Sequence, residues 1–245
     1  MSQLIGEISG PNGRGEFVKL SGIKIFANVD KYSDTILQYI KNGGYESGER
    51  HVIPKILEKG DRVIEIGAAI GCVSMVAAKV VGQENILAFE ANPALIGDAQ
   101  SNYLANGLSI VIKNGILQNR VNWSGKGKNV DFFINADFWA SSTARMPGTI
   151  ETVSVPTLCF EEEAELFCAN TLICDIEGGE IELLELADLT NFDKILLEVH
   201  YWAGRKEINR LMRKLIIDGF SINFDASFGS IVSLHRGFSP PVRCR

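Results

Sequence analysis

The sequence has no long apolar run and no block of basic residues. Although 46% of its 245 residues are hydrophobic, no segment approaches the roughly eighteen uninterrupted apolar residues that span a bilayer. The formal net charge is −6, and without a lysine- or arginine-rich stretch a large phosphate-backbone footprint is not expected. The N-terminus lacks the basic, apolar and small-residue pattern of a signal peptide. We therefore predict a cytoplasmic protein with neither a membrane nor a nucleic acid as partner.

Cysteine is sparse and poorly spaced for a metal. Five cysteines, an odd number, occur without a C-x-x-C pair. This predicts buried free thiols rather than a zinc site. The sequence shows no obvious cage for a divalent metal, so no metal ligand is predicted, although an isolated carboxylate such as Asp175 leaves metal binding open. Internal repeats and low-complexity tracts are also missing, and the length fits one α/β domain.

The rest of the chain is organised around residues 61–72, which read DRVIEIGAAIGC. The apolar run VIEI predicts a strand that is buried on both faces, as in a parallel sheet. Gly67 and Gly71 interrupt the run, and a helix rich in Ala and Val is predicted after them. Strand, turn and helix together direct backbone N–H groups and a positive helix end towards a ligand above the strand. Glu65 is unexpected here, because burying a carboxylate is unfavourable unless a polar group meets it.

A second apolar run, residues 86–89, ends in Glu90, at the position where nucleoside-binding α/β folds hold a ribose. A dinucleotide fingerprint G-x-G-x-x-G that begins at Gly67 would also need glycine at Ala69 and Cys72, so two of its three positions fail. This disfavours a nicotinamide-dependent oxidoreductase. The pattern that is present, E-x-G-x-x-x-G followed by an acid at the next strand end, resembles the first two motifs of class I S-adenosylmethionine-dependent methyltransferases.

The order of the predicted elements indicates the fold class. Five strand–helix units and a final hairpin predict an α/β, Rossmann-like fold, in which a seven-stranded, mostly parallel sheet has helices on both faces. Residues 1–58 are predicted to form a small N-terminal cap in the same unit, with a loop over residues 1–15, a hairpin and short helices. Residues 59–245 are predicted to form the methyltransferase domain. A polar stretch at residues 140–148 interrupts the regular rhythm and is predicted to order when the acceptor binds.

Further motifs narrow the resemblance to the FkbM-type methyltransferases. The chain resembles them over roughly residues 44 to 202, and the DIEGGE segment at the end of the fourth predicted strand is the most specific part. The matching segments, in order, are GYE with Glu49, EIGA with Gly71, FEANP, Asn102, NG at 106–107, VPTL at 155–158, DIEGGE at 175–180 and EVH at 198–200. The chain departs from the pattern at three positions. Glu65 stands where aspartate is common, Ala69 replaces an asparagine, and Cys159 stands where an acid is frequent.

This resemblance implies an S-adenosylmethionine-dependent methyltransferase that methylates a hydroxyl oxygen of a sugar or natural product. Glu65 is expected to anchor the cofactor ammonium and Glu90 to accept hydrogen bonds from the ribose hydroxyls. Gly67 and Gly71 would let the backbone approach the methionine part. A salt bridge within the fold for Glu65 and strand–helix packing for the glycines are the alternatives. The predicted cofactor-binding residues are Glu65, Gly67, Ala68, Gly71, Glu90, Ala91, Asn92, Asn114, Asp175 and Tyr45.

Three ionisable residues at the ends of the fourth and fifth predicted strands are the catalytic candidates: His200, Asp175 and Glu177. Ligands of open α/β sheets bind outside the carboxyl ends of the strands, at the switch in strand order, so these side chains should face the transferred methyl. Histidine is a natural base near neutral pH, and we place His200 only slightly ahead of Asp175 as the base. Helix capping by the acids and a structural hydrogen bond for the histidine remain alternatives.

The expected partner is a small-molecule acceptor, and a homodimer is left open. Tyr45 and Glu46 are candidate lid residues. Ser141 and Ser142 are candidate acceptor contacts, although a solvated turn is the favoured interpretation of their loop. Besides methyl transfer, the sequence allows a cofactor-binding protein without catalysis, such as a regulator or a partner subunit. The identity of the acceptor cannot be read from the sequence.

Overall fold

Backbone hydrogen bonds in the computed structural model arrange the chain into thirteen strands and seven α-helices over the residues that it describes, which are 8–10, 13–123 and 125–237. The strands are β1 (Ile8–Gly10), β2 (Gly13–Leu20), β3 (Ile23–Asn28), β4 (Val63–Ile66), β5 (Ile86–Glu90), β6 (Val111–Asn114), β7 (Ile116–Gln118), β8 (Asn129–Asn135), β9 (Thr149–Cys159), β10 (Thr171–Cys174), β11 (Lys194–Glu198), β12 (Phe220–Ile222) and β13 (Ile231–Arg236). The α-helices are α1 (Asp34–Asn42), α2 (Ser47–Ile56), α3 (Cys72–Val81), α4 (Pro93–Ala105), α5 (Phe160–Phe167), α6 (Glu180–Leu184) and α7 (Arg205–Ile217). None of the helices in these ranges combines the length and the apolar character of a membrane span.

The central sheet confirms the predicted fold class. Its seven strands are hydrogen-bonded in the order β12-β13-β11-β10-β4-β5-β6. Strands β11, β10, β4, β5 and β6 are parallel, whereas β13 pairs antiparallel with both β11 and β12. The chain proceeds outward from β4 to β6 and then returns to β10 on the other side of β4. The switch in strand order therefore lies between β4 and β10, where the ligand crevice of such a sheet is expected.

Alternate side chains of the central strands pack into two hydrophobic clusters. Val63 of β4 belongs to the cluster that includes residues of α1, α2, α3 and α4, while its neighbour Ile64 belongs to the cluster with α5, α6 and α7. Ile173 and Leu172 of β10 divide between the two clusters in the same way. The sheet is thus covered by helices on both faces, which explains why its central strands are nearly continuous apolar runs.

The N-terminal strands form an antiparallel sheet in the order β1-β2-β3. The predicted hairpin is present as β2 and β3, with Leu20 opposite Ile23. The loop predicted for residues 1–15 is wrong for residues 8–10 and 13–15, because β1 pairs antiparallel with the start of β2. The pairing satisfies the backbone hydrogen-bonding groups of this polar, glycine-containing stretch. Its composition alone did not reveal the strand. Residues 1–7, 11 and 12 lie outside the described part of the chain.

The N-terminal elements share a hydrophobic core with the central sheet. Ile25 of β3, Ile36 of α1 and Ile53 of α2 are fully buried in the same cluster as Val63. Helix α1 begins at the N-cap Ser33, whose hydroxyl accepts a hydrogen bond from the backbone N–H of Ile36 at 3.2 Å. Such a cap satisfies one of the free donors at a helix start. The division of the chain after residue 58 stays a prediction.

A small sheet in the order β7-β9-β8 follows β6. Strand β7 runs parallel to β9, and β8 runs antiparallel to it. Strands β8 and β9 flank the polar stretch at residues 140–148. Phe133 of β8 forms an antiparallel bridge with Ser142, so the first part of the polar stretch is held against this sheet.

The cysteines differ in part from the prediction. Cys72, Cys159 and Cys174 are buried free thiols, as expected. Cys168 is disulfide-bonded, so the expectation of free thiols is wrong at this position. An odd cysteine count does not exclude an individual bond, and the spacing gave no sign of it. Cys244 lies outside the described residues.

Candidate active site

A cavity of about 440 Å³ opens at the carboxyl ends of β4, β5 and β10. The loops that follow these strands form one side of it. Residues of β7 and β8, of helices α4 and α6 and of the short turn Phe138–Ala140 also line it, together with Glu46 from the N-terminal region. This volume is in the range of small-molecule and cofactor sites. The cavity lies at the switch in strand order, as the topology of the sheet predicts.

Two glycines shape the loop between β4 and α3. Gly67 has φ = +90°, and a Cβ at this position would overlap the carbonyl oxygen of Asp175. Gly71 has φ = +81°, and a Cβ there would overlap the ring of Tyr103. Both positions therefore exclude a side chain. The N–H of Gly67 also donates to the carbonyl oxygen of Phe89 at 3.0 Å, which ties the loop to β5.

Glu90 ends β5, lines the cavity and is held by backbone donors. The Ala69 N–H donates to its Oε2 at 2.7 Å, and the Asn92 N–H donates to its Oε1 at 2.6 Å. Burial raises the pKa of Glu90, and the backbone hydrogen bonds from Asn92 and Ala69 oppose this shift. A carboxylate oxygen accepts more than one hydrogen bond. Glu90 is thus fixed in orientation and keeps acceptor capacity for a ligand.

Glu65 contacts groups inside the fold. Its Oε2 accepts a hydrogen bond from the hydroxyl of Ser74 in α3, and the hydroxyl of Tyr103 donates to the Ser74 oxygen at 2.9 Å. Burial raises the pKa of Glu65 to about 7, against the lowering effect of the Ser74 hydrogen bonds. The polar group that meets this buried carboxylate is therefore a hydroxyl of the protein. Its predicted role towards the cofactor ammonium stays a prediction.

The predicted cofactor-binding residues fall into two groups. Those that line the cavity are Gly67, Glu90, Ala91 and Asp175. Within the described chain, those that do not line it are Glu65, Ala68, Gly71, Asn92, Asn114 and Tyr45. Two of these hold lining residues in place. Asn92 caps α4 by accepting the Ala94 N–H at 3.0 Å, and the Asn114 amide donates to the carbonyl oxygens of Glu90 and Ala91, both at 2.9 Å.

The three predicted catalytic residues come together at the ends of β10 and β11. The Nε2 atom of His200 lies 3.6 Å from Asp175 Oδ1 and 3.4 Å from Glu177 Oε2. Its Nδ1 atom lies 3.0 Å from Glu180 Oε1. Burial alone would lower the pKa of His200, but the hydrogen bonds to Glu177 and Glu180 raise it to about 11. The surrounding carboxylates thus favour a positive charge at this position.

Further carboxylates approach this group from other elements. Glu46 precedes α2, Glu49 lies within α2, and Glu198 ends β11. Burial raises the pKa of Asp175 well above its usual value, and the charges of Glu46 and Glu198 raise it further, against the lowering effect of His200. Burial also raises the pKa of Glu49 to about 7. The site therefore concentrates negative charge beside the ends of β10 and β11.

Tyr45 is buried beside these carboxylates. It is 1% exposed, and its ring stacks on Trp139 with 6.4 Å between the ring centroids. Its hydroxyl is buried and, by distance and angle, makes no hydrogen bond to the described residues, although its proximity lowers the pKa of Glu46. Burial raises the pKa of Tyr45 well above its usual value, and the charges of Glu46 and, to a smaller extent, Asp175 raise it further. The hydroxyl therefore lies near the acidic group.

Sequence reasoning missed the aromatic wall of the cavity. Phe132 and Phe133 of β8 line it together with Phe138 and Trp139 of the following turn. Two aromatic pairs just before a polar stretch were visible in the sequence. No motif connects them with the strand ends of the central sheet, because the contact depends on the position of the small β7-β9-β8 sheet.

The loop that contains Ser141 and Ser142 is also different from the prediction. The two serines are 7% and 5% exposed, so a solvated turn is wrong for them. The Ser141 hydroxyl oxygen accepts the Asn135 N–H at 3.0 Å, and Ser142 exchanges backbone hydrogen bonds with Phe133 at 2.9 and 3.1 Å. Their hydroxyls satisfy buried backbone groups, which explains why polar residues occur in a packed segment. Ser141 lines the cavity.

Residues 65–232 match the model of the FkbM methyltransferase domain. The match spans more than half of the chain and includes the strand ends that form the cavity. The chain belongs to the FkbM methyltransferase family. This confirms the resemblance found in the sequence, and the cofactor of this FkbM methyltransferase is S-adenosylmethionine. No curated protein matches the sequence.

Several solved structures are similar to this FkbM methyltransferase at low sequence identity. Trm5b from Pyrococcus abyssi is 14% identical with a TM-score of 0.52, and the match covers 97% of this chain but only 63% of that one. The ribosomal protein L11 methylase from Lactobacillus delbrueckii subsp. bulgaricus is 12% identical with a TM-score of 0.46, over 80% of this chain and 81% of that one. Magnesium protoporphyrin IX methyltransferase from Synechocystis PCC 6803 is 15% identical with a TM-score of 0.44, over 84% and 85%. The Trm5b similarity shows the fold alone.

Proposed function

We propose that this FkbM methyltransferase transfers the methyl group of S-adenosylmethionine to a hydroxyl oxygen of a small molecule. One observation carries the proposal: Glu90, Asp175 and Glu177 line the same cavity. Glu90 lies on the proposed cofactor side, and the other two carboxylates lie next to that side. A volume of about 440 Å³ suits a cofactor together with a small acceptor. The net charge of −6 argues against a nucleic-acid acceptor.

The residues on the cofactor side fit an adenosyl group. Glu90 presents carboxylate lone pairs in an orientation that backbone N–H groups fix, and vicinal hydroxyls are suitable donors for such a group. Gly115, Ile116 and Leu117 line the cavity next to it and supply a mostly apolar surface for a flat ring. A Cβ at Gly67 would overlap the carbonyl oxygen of Asp175. Because Gly67 has no side chain, the loop below the cavity can pack closely against this residue. These features support the cofactor assignment to this end of the cavity.

S-adenosylmethionine, when bound, supplies a methyl group on a positively charged sulfur. The chain then contributes mainly positioning and the exclusion of water. Aromatic residues of β8 and of the Phe138–Ala140 turn line the same cavity, which suits an acceptor with an apolar surface. They form a part of the wall separate from the loop that carries Glu90.

We assign the proton acceptor to Glu177, which departs from the preference for His200 in the sequence. Glu177 lines the cavity, and within the described chain His200 does not. His200 instead lies behind Glu177, with Nε2 3.4 Å from Oε2, and positions it. Glu177 has φ = +52°, a strained backbone conformation of the kind that occurs at functional sites. Glu177 would take the proton of the acceptor hydroxyl. Bound S-adenosylmethionine would supply the methyl group, whose transfer from sulfur to the acceptor oxygen would leave S-adenosylhomocysteine.

Calorimetry and methyl transfer test the proposal separately. Calorimetry with S-adenosylmethionine, S-adenosylhomocysteine and NAD⁺ should show binding of the first two and none of the third. Incubation with radiolabelled S-adenosylmethionine and a panel of sugars and hydroxylated natural products should label at least one acceptor. Glu177→Gln should lower turnover about 100-fold or more with unchanged cofactor affinity, whereas the exposed control Glu151→Gln should leave both unchanged. Cofactor binding without transfer to any panel member would instead support a non-catalytic cofactor-binding protein.

A further inference from the structure

Three potential metal ligands converge at the ends of neighbouring strands. Asp175 follows β10, Glu198 ends β11, and His200 lies two residues further on. One ligand atom from each residue can be chosen so that all three atoms lie within 4.8 Å of one another. Parallel neighbouring strands end at the same edge of the sheet, so this convergence follows from the β10–β11 pairing. Two carboxylate oxygens and one imidazole nitrogen form a donor set that divalent cations accept.

Glu180 sets the orientation of the His200 ring. Glu180 Oε1 accepts the backbone N–H of Ile176 at 2.9 Å and lies 3.0 Å from His200 Nδ1. A carboxylate that already accepts a backbone hydrogen bond is an acceptor for Nδ1 as well, so Nδ1 carries a hydrogen. Nε2 faces Glu177 at 3.4 Å and Asp175 at 3.6 Å, and a bound cation would take the place of the proton that Nε2 carries without it. Histidines that ligate metals generally donate their other ring N–H to a carboxylate or carbonyl in this manner. The arrangement is therefore that of a metal-binding imidazole with its supporting carboxylate.

Two buried polar atoms at this position are without a partner. Asp175 Oδ1 is buried and accepts no hydrogen bond from the described residues; its nearest basic atom is His200 Nε2, at 3.6 Å. The hydroxyl of Tyr45, a residue that is 1% exposed, is likewise buried and unpaired within the described chain. Buried polar atoms are satisfied in most proteins, by the chain or by a bound water or ion. These two unpaired atoms, near one group of acids, point to a bound ligand.

The charges around the group favour a cation. Glu46 and Glu49 approach it from the N-terminal region, in addition to the carboxylates of β10 and β11. The guanidinium of Arg50 lies in the same region, but it donates to the Tyr45 and Gly43 carbonyl oxygens and to the Ser21 hydroxyl. These hydrogen bonds go to neutral acceptors, and the charge of Arg50 lowers the pKa of Glu49. Glu198 accepts a hydrogen bond from the Ser230 hydroxyl at 2.8 Å. A cation bound among the remaining buried carboxylates would stabilise them further.

We propose that Asp175, Glu198 and His200 bind a divalent cation beside the acceptor end of the cavity. Three protein ligands leave coordination positions for other oxygens, and Asp175 is the ligand that lines the cavity, so those positions face the acceptor. This cation site rests on the proposed function. It narrows the class of acceptor to molecules that have a second oxygen next to the methylated hydroxyl, because both oxygens must bind the same ion. A hydroxyl bound in this way loses its proton more readily, and Glu177 remains the group that receives it.

Electron paramagnetic resonance with Mn²⁺ tests the site on the full chain. The signal of free Mn²⁺ should decrease to show one bound ion per chain, and pulsed measurements should show a nitrogen coupling from one imidazole. Asp175→Asn and Glu198→Gln should each weaken Mn²⁺ binding at least about tenfold, and His200→Gln should also remove the nitrogen coupling. The exposed control Asp225→Asn should bind Mn²⁺ like the native chain. Excess Mg²⁺ and Zn²⁺ should show, by displacement, which ions compete.

Absence of bound Mn²⁺ in the native chain overturns the proposal, as does native affinity in both Asp175→Asn and Glu198→Gln. Circular dichroism identifies a variant that fails to fold. If a variant does fail, the presence or absence of the nitrogen coupling in the native chain decides whether an imidazole binds the ion. Calorimetry with S-adenosylhomocysteine, run in parallel without metal, separates this proposal from the proposed function. Cofactor binding without Mn²⁺ binding rejects the cation site alone, and Mn²⁺ binding without cofactor binding rejects the proposed function alone.

Discussion

Gly67 faces the carbonyl oxygen of Asp175 so closely that any side chain at position 67 would overlap it. The two residues follow β4 and β10, which are neighbours in the sheet and pair in parallel. The loop after β4 and the turn that carries the candidate catalytic carboxylates therefore share a direct contact. We expect a change at either residue to disturb the other.

We expect Gly67→Ala to lower the free energy of unfolding by about 3 kcal/mol, because it adds a steric overlap to an unfavourable positive φ. Gly107→Ala is the matched control. Gly107 has φ = +71°, and a Cβ there would meet nothing within 4 Å, so this variant should lose only about 1 kcal/mol. Urea unfolding of both variants measures the difference. Equal losses would show that the contact with Asp175 does not contribute.

Glu90→Ala should weaken S-adenosylhomocysteine binding by roughly 10- to 100-fold, the effect of losing hydrogen bonds to a charged group. The change also frees the N–H groups of Ala69 and Asn92, so the variant must first be checked for native circular dichroism. Glu84→Ala, at an exposed acid before β5, is the control and should bind the product normally. Native affinity in folded Glu90→Ala would contradict the assignment of the ribose site.

Glu65 should make the stability of the fold depend on pH. Its pKa is about 7 in the folded chain and 4.5 ordinarily, so between these values the folded chain holds a proton that the unfolded chain has released. The free energy of unfolding therefore falls by about 3 kcal/mol as the pH rises through this window; above it the full loss remains, but Glu65 adds no further pH dependence. Glu65→Gln should remove this part of the pH dependence in urea unfolding at pH 5 and pH 8. Parallel curves for the native and variant chains would refute the prediction.

Residues 1–58 should not unfold cooperatively as an isolated fragment. Their short strands and two helices bury Ile25, Ile36 and Ile53 in the cluster that contains Val63 of the central sheet. Without that partner the apolar surface that they bury is too small for an independent domain. Circular dichroism of the fragment in increasing urea should show no sigmoidal transition, and a sharp transition would establish a separate domain.

Local patterns were sufficient to predict the central sheet. The apolar run VIEI predicted a strand, and β4 has its bounds, Val63–Ile66, because a short apolar run between polar turns has few other interpretations. Glu90 was singled out for the same reason, since it ends such a run, and it lines the cavity. Elements whose burial depends on a few neighbouring residues can thus be predicted from the sequence.

The rest depends on contacts between distant parts of the chain. Glu65 meets Ser74 because α3 packs against β4, and His200 meets Glu180 because β10 and β11 are neighbours. The aromatic residues line the cavity only because β8 lies beside it. No local pattern encodes these distances, which is why these supporting contacts were missed. The choice of His200 as the base stays a prediction.

Glu46 lines the cavity although it precedes the family match, which begins at residue 65. Part of the cavity wall therefore comes from residues before the matched domain, although the GYE segment that contains Glu46 is among those that resemble the family. We expect acceptor selectivity to be transferable between relatives by exchanging the segment before β4, which makes it the natural target for altering the specificity of this enzyme by recombination.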